Sequence, residues 1–212
     1  MSSASQELST GVPFLDRRIG GGIPTGTLLA LVAPAASQSE VLLHQFAGAR
    51  PFHYVSTTCP DPDELRATVA AHVDDPSEGT FAYVDPEEAL ADPETLAGDV
   101  SPESYLVLDT ADAFEQAGSR TEYLSFLNAL KRRVGERDAV CVLHCLEGAT
   151  PHGRRALTQK RADHVWQLKV TVLSESIRTQ LLVTKARRSH ALTEAIPLVL
   201  TDRVRVDTTR NI

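Results

Sequence analysis

The chain predicts an α/β domain: a mostly parallel central sheet with helices on both faces and an antiparallel extension at its C-terminal end. Three observations carry that expectation. Apolar runs alternate with helical patterns up to about residue 162, the rhythm of βαβ crossovers. The early runs are hydrophobic without a break, as in Leu28-Leu29-Ala30-Leu31-Val32, which suits strands covered on both faces. Beyond that point strands follow one another with connections too short for crossover helices.

Read in order, strand-like runs fall at 27–32, 52–57, 80–84, 105–108, 139–145, 165–172, 180–185, 197–200 and 204–206. Helical spacing fills the gaps. Segment 39–49 carries Val41, Leu42, Phe46 and Ala49, and 62–72 carries Leu65, Val69 and Ala70. In 121–137, Leu124, Leu127, Ala129, Leu130 and Val134 form a stripe. Lys131, Arg132, Arg133 and Arg137 stand outside it or at the C-terminal end, where cations suit the helix dipole. A short helix is expected over 154–161. The acidic, proline-bearing stretch 74–104 reads as surface connection around one short strand. The chain divides into a lead-in segment, 1–26, a βαβ core, 27–162, and C-terminal antiparallel strands, 163–212, within a single domain.

Composition narrows the function classes. At 212 residues, 42% hydrophobic and 23% charged, the chain is one domain in size and rich enough in apolar residues for a core. Its formal net charge of -7 removes an overall basic footprint for nucleic acid. Arginine outnumbers lysine 17 to 4, a bias of high-GC, halophile-like acidic proteins. No run reaches the ~18 apolar residues of a membrane span. Residues 1–7 lack a signal-peptide pattern, so a cytoplasmic location is expected. Cys59, Cys141 and Cys145 read as reduced thiols. Within a strand Cys141 and Cys145 share a face but lie roughly 13 Å apart at about 3.3 Å per residue, too far for a disulfide. His144 points to the other face, so these cysteines read as buried small side chains and not as a metal site.

Ligands of an open α/β sheet gather where strands end and the following helices begin. Here the first central strand leads through Ala33-Pro34-Ala35-Ala36-Ser37-Gln38-Ser39-Glu40 into a helix. The phosphate-binding form of such a loop is G-x-x-x-x-G-K-[ST]. Its glycines turn backbone N–H groups toward phosphate, its lysine neutralises charge and its hydroxyl holds magnesium.

The lead-in reads Leu8-Ser9-Thr10-Gly11-Val12-Pro13-Phe14-Leu15-Asp16, then Gly20-Gly21-Gly22-Ile23-Pro24-Thr25-Gly26. These runs resemble the opening signature of the RecA superfamily, in its KaiC-like and archaeal RadA-like branch: T-G-[IV]-x-x-L-D, then G-G-G-[IL]-x-x-G. The resemblance continues along nearly the whole chain. Tyr54-Val55-Ser56 resembles the end of the second core strand and Leu106-Val107-Leu108-Asp109 a Walker B strand. Ala162-Asp163-His164-Val165 resembles the start of a late strand, and Val183-Thr184-Lys185-Ala186-Arg187 the V-x-K-x-R strand. Thr201-Asp202-Arg203-Val204 resembles the closing turn. The resemblance implies a RecA-like P-loop NTPase fold and, in members with an intact site, ATP with magnesium.

The site itself departs from that pattern, as a degenerate Walker A motif. Ala33 stands for the first loop glycine after alignment on Pro34, and Ala36 and Gln38 for the inner glycines. Ser39 replaces the lysine and Glu40 the Ser/Thr magnesium ligand. Thr58-Cys59 stand where the KaiC-like family carries a glutamate pair that polarises the attacking water. Phosphate neutralisation, metal anchoring and water activation are all missing. Ser37-Gln38-Ser39-Glu40 reads instead as a capping box that seals the helix start. A negative Glu40 there suits the helix dipole by roughly 0.3–1 kcal/mol and repels a triphosphate.

Asp109 is expected to be a strand-end carboxylate bonded to nearby backbone, and Asp112 is a weaker metal candidate still. His144 falls where the family places a polar γ-phosphate sensor and reads as a satisfied buried or rim histidine. Lys185 and Arg187 match the pair that in hexameric rings reaches a neighbouring subunit's nucleotide; interface use and relic stand level. Arg154, Arg155, Lys160 and Arg161 lie where DNA-handling relatives contact DNA, with Arg187-Arg188 a second cluster. No aromatic residue is interleaved for base stacking, so both clusters read as solvated charge.

The expected function is therefore that of a non-catalytic RecA/KaiC-like homologue, a regulatory or scaffolding protein with no resident cofactor or, in a milder form, one that holds ATP with magnesium weakly without hydrolysing it. Its partner would be another protein, a related ATPase or a second copy. Two alternatives belong to other classes. One is a divergent ATPase, with Asp109 holding metal and Lys185 and Arg187 supplying charge in trans. The other is a DNA-associated recombination or repair accessory factor.

Overall fold

The computed structural model describes residues 6–73, 79–98, 100–148, 154–189 and 192–207. The chain opens with strand β1 (Glu7–Leu8), helix α1 (Pro13–Ile19) and strand β2 (Ile23–Pro24), which pairs antiparallel with β1. Asp16 holds this segment closed. Its Oδ1 accepts from the Thr10 backbone N–H at 2.9 Å and the Thr10 hydroxyl at 2.7 Å, and its Oδ2 from the Ser9 hydroxyl at 2.6 Å. Pro13 starts α1 and Gly20, at φ 98, ends it. At Gly22 a Cβ would stand 2.3 Å from the Leu8 carbonyl oxygen, so only glycine lets β2 lie this close to β1.

The rest of the chain builds one large sheet and its helices. In order they are β3 (Thr27–Pro34), α2 (Ser39–Ala49), β4 (Phe52–Ser56), α3 (Pro62–Ala70), β5 (Gly79–Tyr83), α4 (Pro86–Ala91), α5 (Pro93–Gly98) and β6 (Tyr105–Asp109). Then come α6 (Ala111–Gln116), α7 (Arg120–Glu136), β7 (Val140–Glu147), α8 (Arg154–Arg161), β8 (His164–Val172), β9 (Ile177–Ala186), β10 (Ile196–Leu200) and β11 (Val204–Val206). The nine strands lie in the order β11-β10-β9-β8-β3-β7-β6-β4-β5. From β8 to β5 all neighbours are parallel, and from β8 to β11 they are antiparallel. β8 is parallel to β3 on one side, so the antiparallel extension begins at β9 and not at residue 163.

Strand β3 is the centre. Leu29, Leu31 and Ala33 pack into one core with Leu42 and Phe46 of α2 and Trp166 of β8. Leu28, Ala30 and Val32 pack into the other with Phe126, Leu127 and Leu130 of α7. Each fully buried Leu or Phe contributes about 1.5–3 kcal/mol, so both faces of β3 are anchored by apolar burial. Cys141 and Cys145 are free and buried on the α7 side, where burial pushes both thiols well above their ordinary pKa.

The stretch around β5 is more structured than expected. Instead of plain connection it holds α4 and α5, whose Ala89, Leu90 and Leu96 join the core beneath α7. Asp85 caps α4, its Oδ1 accepting from the Glu87 and Glu88 N–H groups at 2.9 and 3.1 Å. Among the described residues, no helix is long and apolar enough to cross a membrane.

The Asp16 clasp predicts a measurable cost. Asp16→Ala leaves three donors without their charged acceptor and lowers the unfolding free energy by roughly 2–4 kcal/mol in urea denaturation.

Candidate functional site

Parallel strands end at the same edge of a sheet, so the loops after β3, β4, β6 and β7 meet there. Four side chains from these elements form one hydrogen-bonded chain. The Tyr54 hydroxyl of β4 donates to Asp109 Oδ2 at 2.8 Å. Asp109 Oδ1, at the end of β6, lies 2.7 Å from His144 Nδ1 of β7. His144 Nε2 lies 2.9 Å from Ser39 Oγ, in the first turn of α2. A neutral ring satisfies every member: Nδ1–H donates to Asp109, and Nε2 accepts from the serine hydroxyl. Asp109 is thus bonded to side chains and not, as expected, to backbone. Burial raises its carboxyl, but the hydrogen bonds from His144 and Tyr54, together with the nearby His144 and His44 imidazoles, hold it below its ordinary value. Burial and the neighbouring carboxylate push the Tyr54 phenol well up.

Ser39, His144 and Asp109 follow the order of a nucleophile, a base and its orienting carboxylate. Accessibility decides against that use. Ser39 is 0% and His144 1% exposed, so the hydroxyl faces protein and not an approaching substrate.

The loop before α2 differs from the expected capping box. Helix α2 starts at Ser39 and its N-cap is Gln38, in the left-handed region at φ 54, ψ 30, with no side-chain cap bond. A capping box needs an extended N-cap residue, and Ser37 stands one residue too early to be that residue. The Ser37 hydroxyl is buried without a hydrogen-bond partner. Glu40 is half-buried in the first turn, Ala33 packs in the core, Pro34 ends β3, and Ala36 is exposed. The loop from Ala33 to Glu40 therefore carries no cationic side chain. Thr58 and Cys59 form a turn, their N–H groups donating to Ser56 Oγ at 3.1 and 2.9 Å.

Of the basic residues singled out above, Arg154, Arg155 and Lys185 are committed to partners inside the molecule. Arg155 donates to Asp112 Oδ1 at 2.6 Å and to Glu115 Oε1 at 2.9 Å, and these acids and Arg155 are largely enclosed. Arg154 donates to the carbonyls of Glu115, Ala117 and Gly118. The expectation of solvated charge fails for both. Asp112 also accepts from the Leu146 N–H, so it clamps β7 to α6 and α8. Lys185 Nζ caps the C-terminal end of α8, donating to the carbonyls of Gln159, Lys160 and Ala162. Arg187 lies 3.9 Å from Asp163 and stays exposed, beside exposed Lys160, Arg161 and Arg188. Asp163 accepts from the Leu28 N–H at 3.0 Å and from Lys131.

Sequence reasoning did not find the roles of Tyr54 and His44. Tyr54 reaches Asp109 because β4 and β6 pair in register, Ser56 opposite Asp109. His44, buried on α2, lies 3.1 Å from His72 through their Nδ1 atoms and packs beside the Tyr54 ring. Among the described residues, no group of three or more His, Cys, Asp or Glu side chains is placed to hold a metal ion.

The chain belongs to a family of unknown function, DUF7125, whose model matches residues 7–212. No protein of curated function matches its sequence. Its fold matches that of the KaiC-like protein PH0186 from the hyperthermophilic archaeon Pyrococcus horikoshii, with a TM-score of 0.74 at 15% identity, over 95% of this chain and 99% of that one. It also matches the flagellar accessory protein FlaH from Methanocaldococcus jannaschii, with a TM-score of 0.74 at 14% identity, over 96% of this chain and 98% of that one. The expected RecA-like, KaiC-like fold is therefore the fold of this chain.

The buried histidines give a pH dependence. Burial holds His44 and His164 at about 4, against an ordinary value of 6.5. Unfolded chains take up these protons near pH 6.5, folded ones only near 4, so stability is lost as pH falls across that window. Urea midpoints drop between pH 6.5 and 4, and a His44→Gln, His164→Gln double variant shows a flatter profile.

Proposed function

We propose that this chain is a non-catalytic member of the RecA/KaiC-like fold group, acting as a regulatory or scaffolding protein through contact with another protein. The observation that carries this reading is the hydrogen-bonded chain Tyr54–Asp109–His144–Ser39. At the position of the phosphate-loop lysine a serine turns its hydroxyl inward, and at the Walker B position both carboxylate oxygens already hold donors. These residues do not fit a magnesium-bound triphosphate. No loop cation would meet its charge, and Asp109 would have to give up bonds worth about 1.5–3 kcal/mol each to reach a metal.

The alternatives draw in part on side chains that are used elsewhere. A divergent ATPase would rely on Lys185 and Arg187 in trans; the Lys185 ammonium is spent on the end of α8, and Arg187 alone stays exposed. A DNA-associated factor would rely on Arg154 and Arg155, whose donors serve α6 and its loop. The FlaH neighbour is described as an accessory protein, and a part within an assembly is the parallel drawn for this chain. Its partner is then a related ATPase or a second copy.

Calorimetric titration with ATP and magnesium tests the reading. It predicts no saturable heat up to roughly 1 mM nucleotide and no phosphate release above the blank. Micromolar binding with turnover that disappears in Asp109→Asn contradicts it. Affinity capture from native extract at physiological salt is expected to return a protein partner in stoichiometric amount.

A further inference from the structure

Beside the loop, no helix among the described residues covers the outer part of the sheet. β3 pairs with β8 as far as Val32 opposite Gln167, and β8 continues to Val172. Alternation puts Val170 and Val172 on the same face as Trp166 and Leu168, the face that α2 covers lower down. Between this overhang and residues 36–38 lies an open groove of about 1160 Å³. Its wall is mixed: Val170, Val172, Ile177, Leu198 and Leu200 form the apolar part, with Thr179 and Gln180 among the polar side chains between them. Val172 and Ile177 form a cross-strand pair and are 76% and 72% exposed. Of the five exposed large apolar side chains among the described residues, four line this groove.

The inner end of the groove is polar in a particular way. Ser37 lines it, is 5% exposed, and its hydroxyl has no hydrogen-bond partner. An orphaned buried hydroxyl costs free energy until something accepts from it. Next to it α2, 11 residues long, begins at Ser39 with Gln38 as an N-cap that makes no side-chain cap bond; Val41 N–H bonds the Gln38 carbonyl at 3.2 Å, and the helix start carries partial positive charge. Arg178 stands exposed on the far strand of the groove.

An uncapped helix start and an unsatisfied hydroxyl suit a negatively charged acceptor, and the exposed valine, isoleucine and leucines suit a hydrocarbon body. A multiply charged head is disfavoured, because Glu40 sits in the first turn of α2 and Asp207 on the groove wall. We propose that this groove binds a single-chain amphiphile with a carboxylate head, such as a medium-chain fatty acid. The head lies at Ser37 and the start of α2, and the chain runs along Val170, Val172, Ile177, Leu198 and Leu200. This site is separate from the protein-contact role proposed above and stands or falls without it.

Dansyl-labelled undecanoic acid is the probe. Its emission is expected to rise saturably, with a Kd of about 1–50 µM, and unlabelled decanoate displaces it. Val172→Asp with Ile177→Asp weakens binding at least about tenfold, and Ser37→Ala weakens it several-fold. The methyl ester of the probe binds more weakly than the acid. The two aspartates replace exposed side chains, so circular dichroism stays unchanged. Absence of saturation up to roughly 1 mM, indifference to the double substitution, or an ester as tight as the acid overturns the proposal. Displacement of the probe by ATP overturns it by giving the groove to a nucleotide. Dimerisation in the ultracentrifuge that blocks the probe, and is lost in the double variant, overturns it by giving the face to a second copy.

Discussion

Asp109 accepts from Tyr54 on one oxygen and from His144 on the other, and the C-terminal edge of the sheet is arranged around those two bonds. They tie β4, β6 and β7 together, and His144 passes the connection to the first turn of α2. A carboxylate at the end of a buried strand is costly unless it is paired or hydrogen-bonded. In an NTPase a metal ion and its water meet that need. Here neighbouring side chains meet it, and His144 bonds the first turn of α2 to the sheet.

Most residues that carry the family resemblance serve as scaffold. Asp16 closes the lead-in on Ser9 and Thr10. Asp163 joins the start of β8 to Leu28 and Lys131. Lys185 caps α8. None of these depends on a nucleotide, so the architecture survives changes in the loop after β3.

Much of this was legible in the sequence. The core strands announced themselves as unbroken apolar runs, and α2 and α7 as stripes long enough to show a period. Helices α1, α4, α5 and α6 span seven residues or fewer, too few turns for a period to register, and are set by capping and packing on larger elements. At the site, residue types were legible and their partners were not: Ser39 and Glu40 stand where the resemblance places a lysine and a magnesium ligand. That Ser39 bonds to a histidine 105 positions away follows only from strand order. The misread capping box has a local cause: the S-x-x-E pattern is present, but Gln38 turns left-handed and moves the helix start past Ser37. Arg154 and Arg155 look solvated in sequence because their acceptors lie about 40 residues upstream, on and just after a helix too short to be foreseen.

The state of the His144 ring reports on the central claim directly. In a long-range proton–nitrogen NMR spectrum of the imidazole, a ring protonated on Nδ1 and accepting on Nε2 is predicted. Millimolar ATP with magnesium leaves both nitrogen shifts where they were. A saturable change in either shift on adding nucleotide, with loss of the Ser39 hydrogen bond, would show that phosphate or metal displaces the internal chain and would contradict the account.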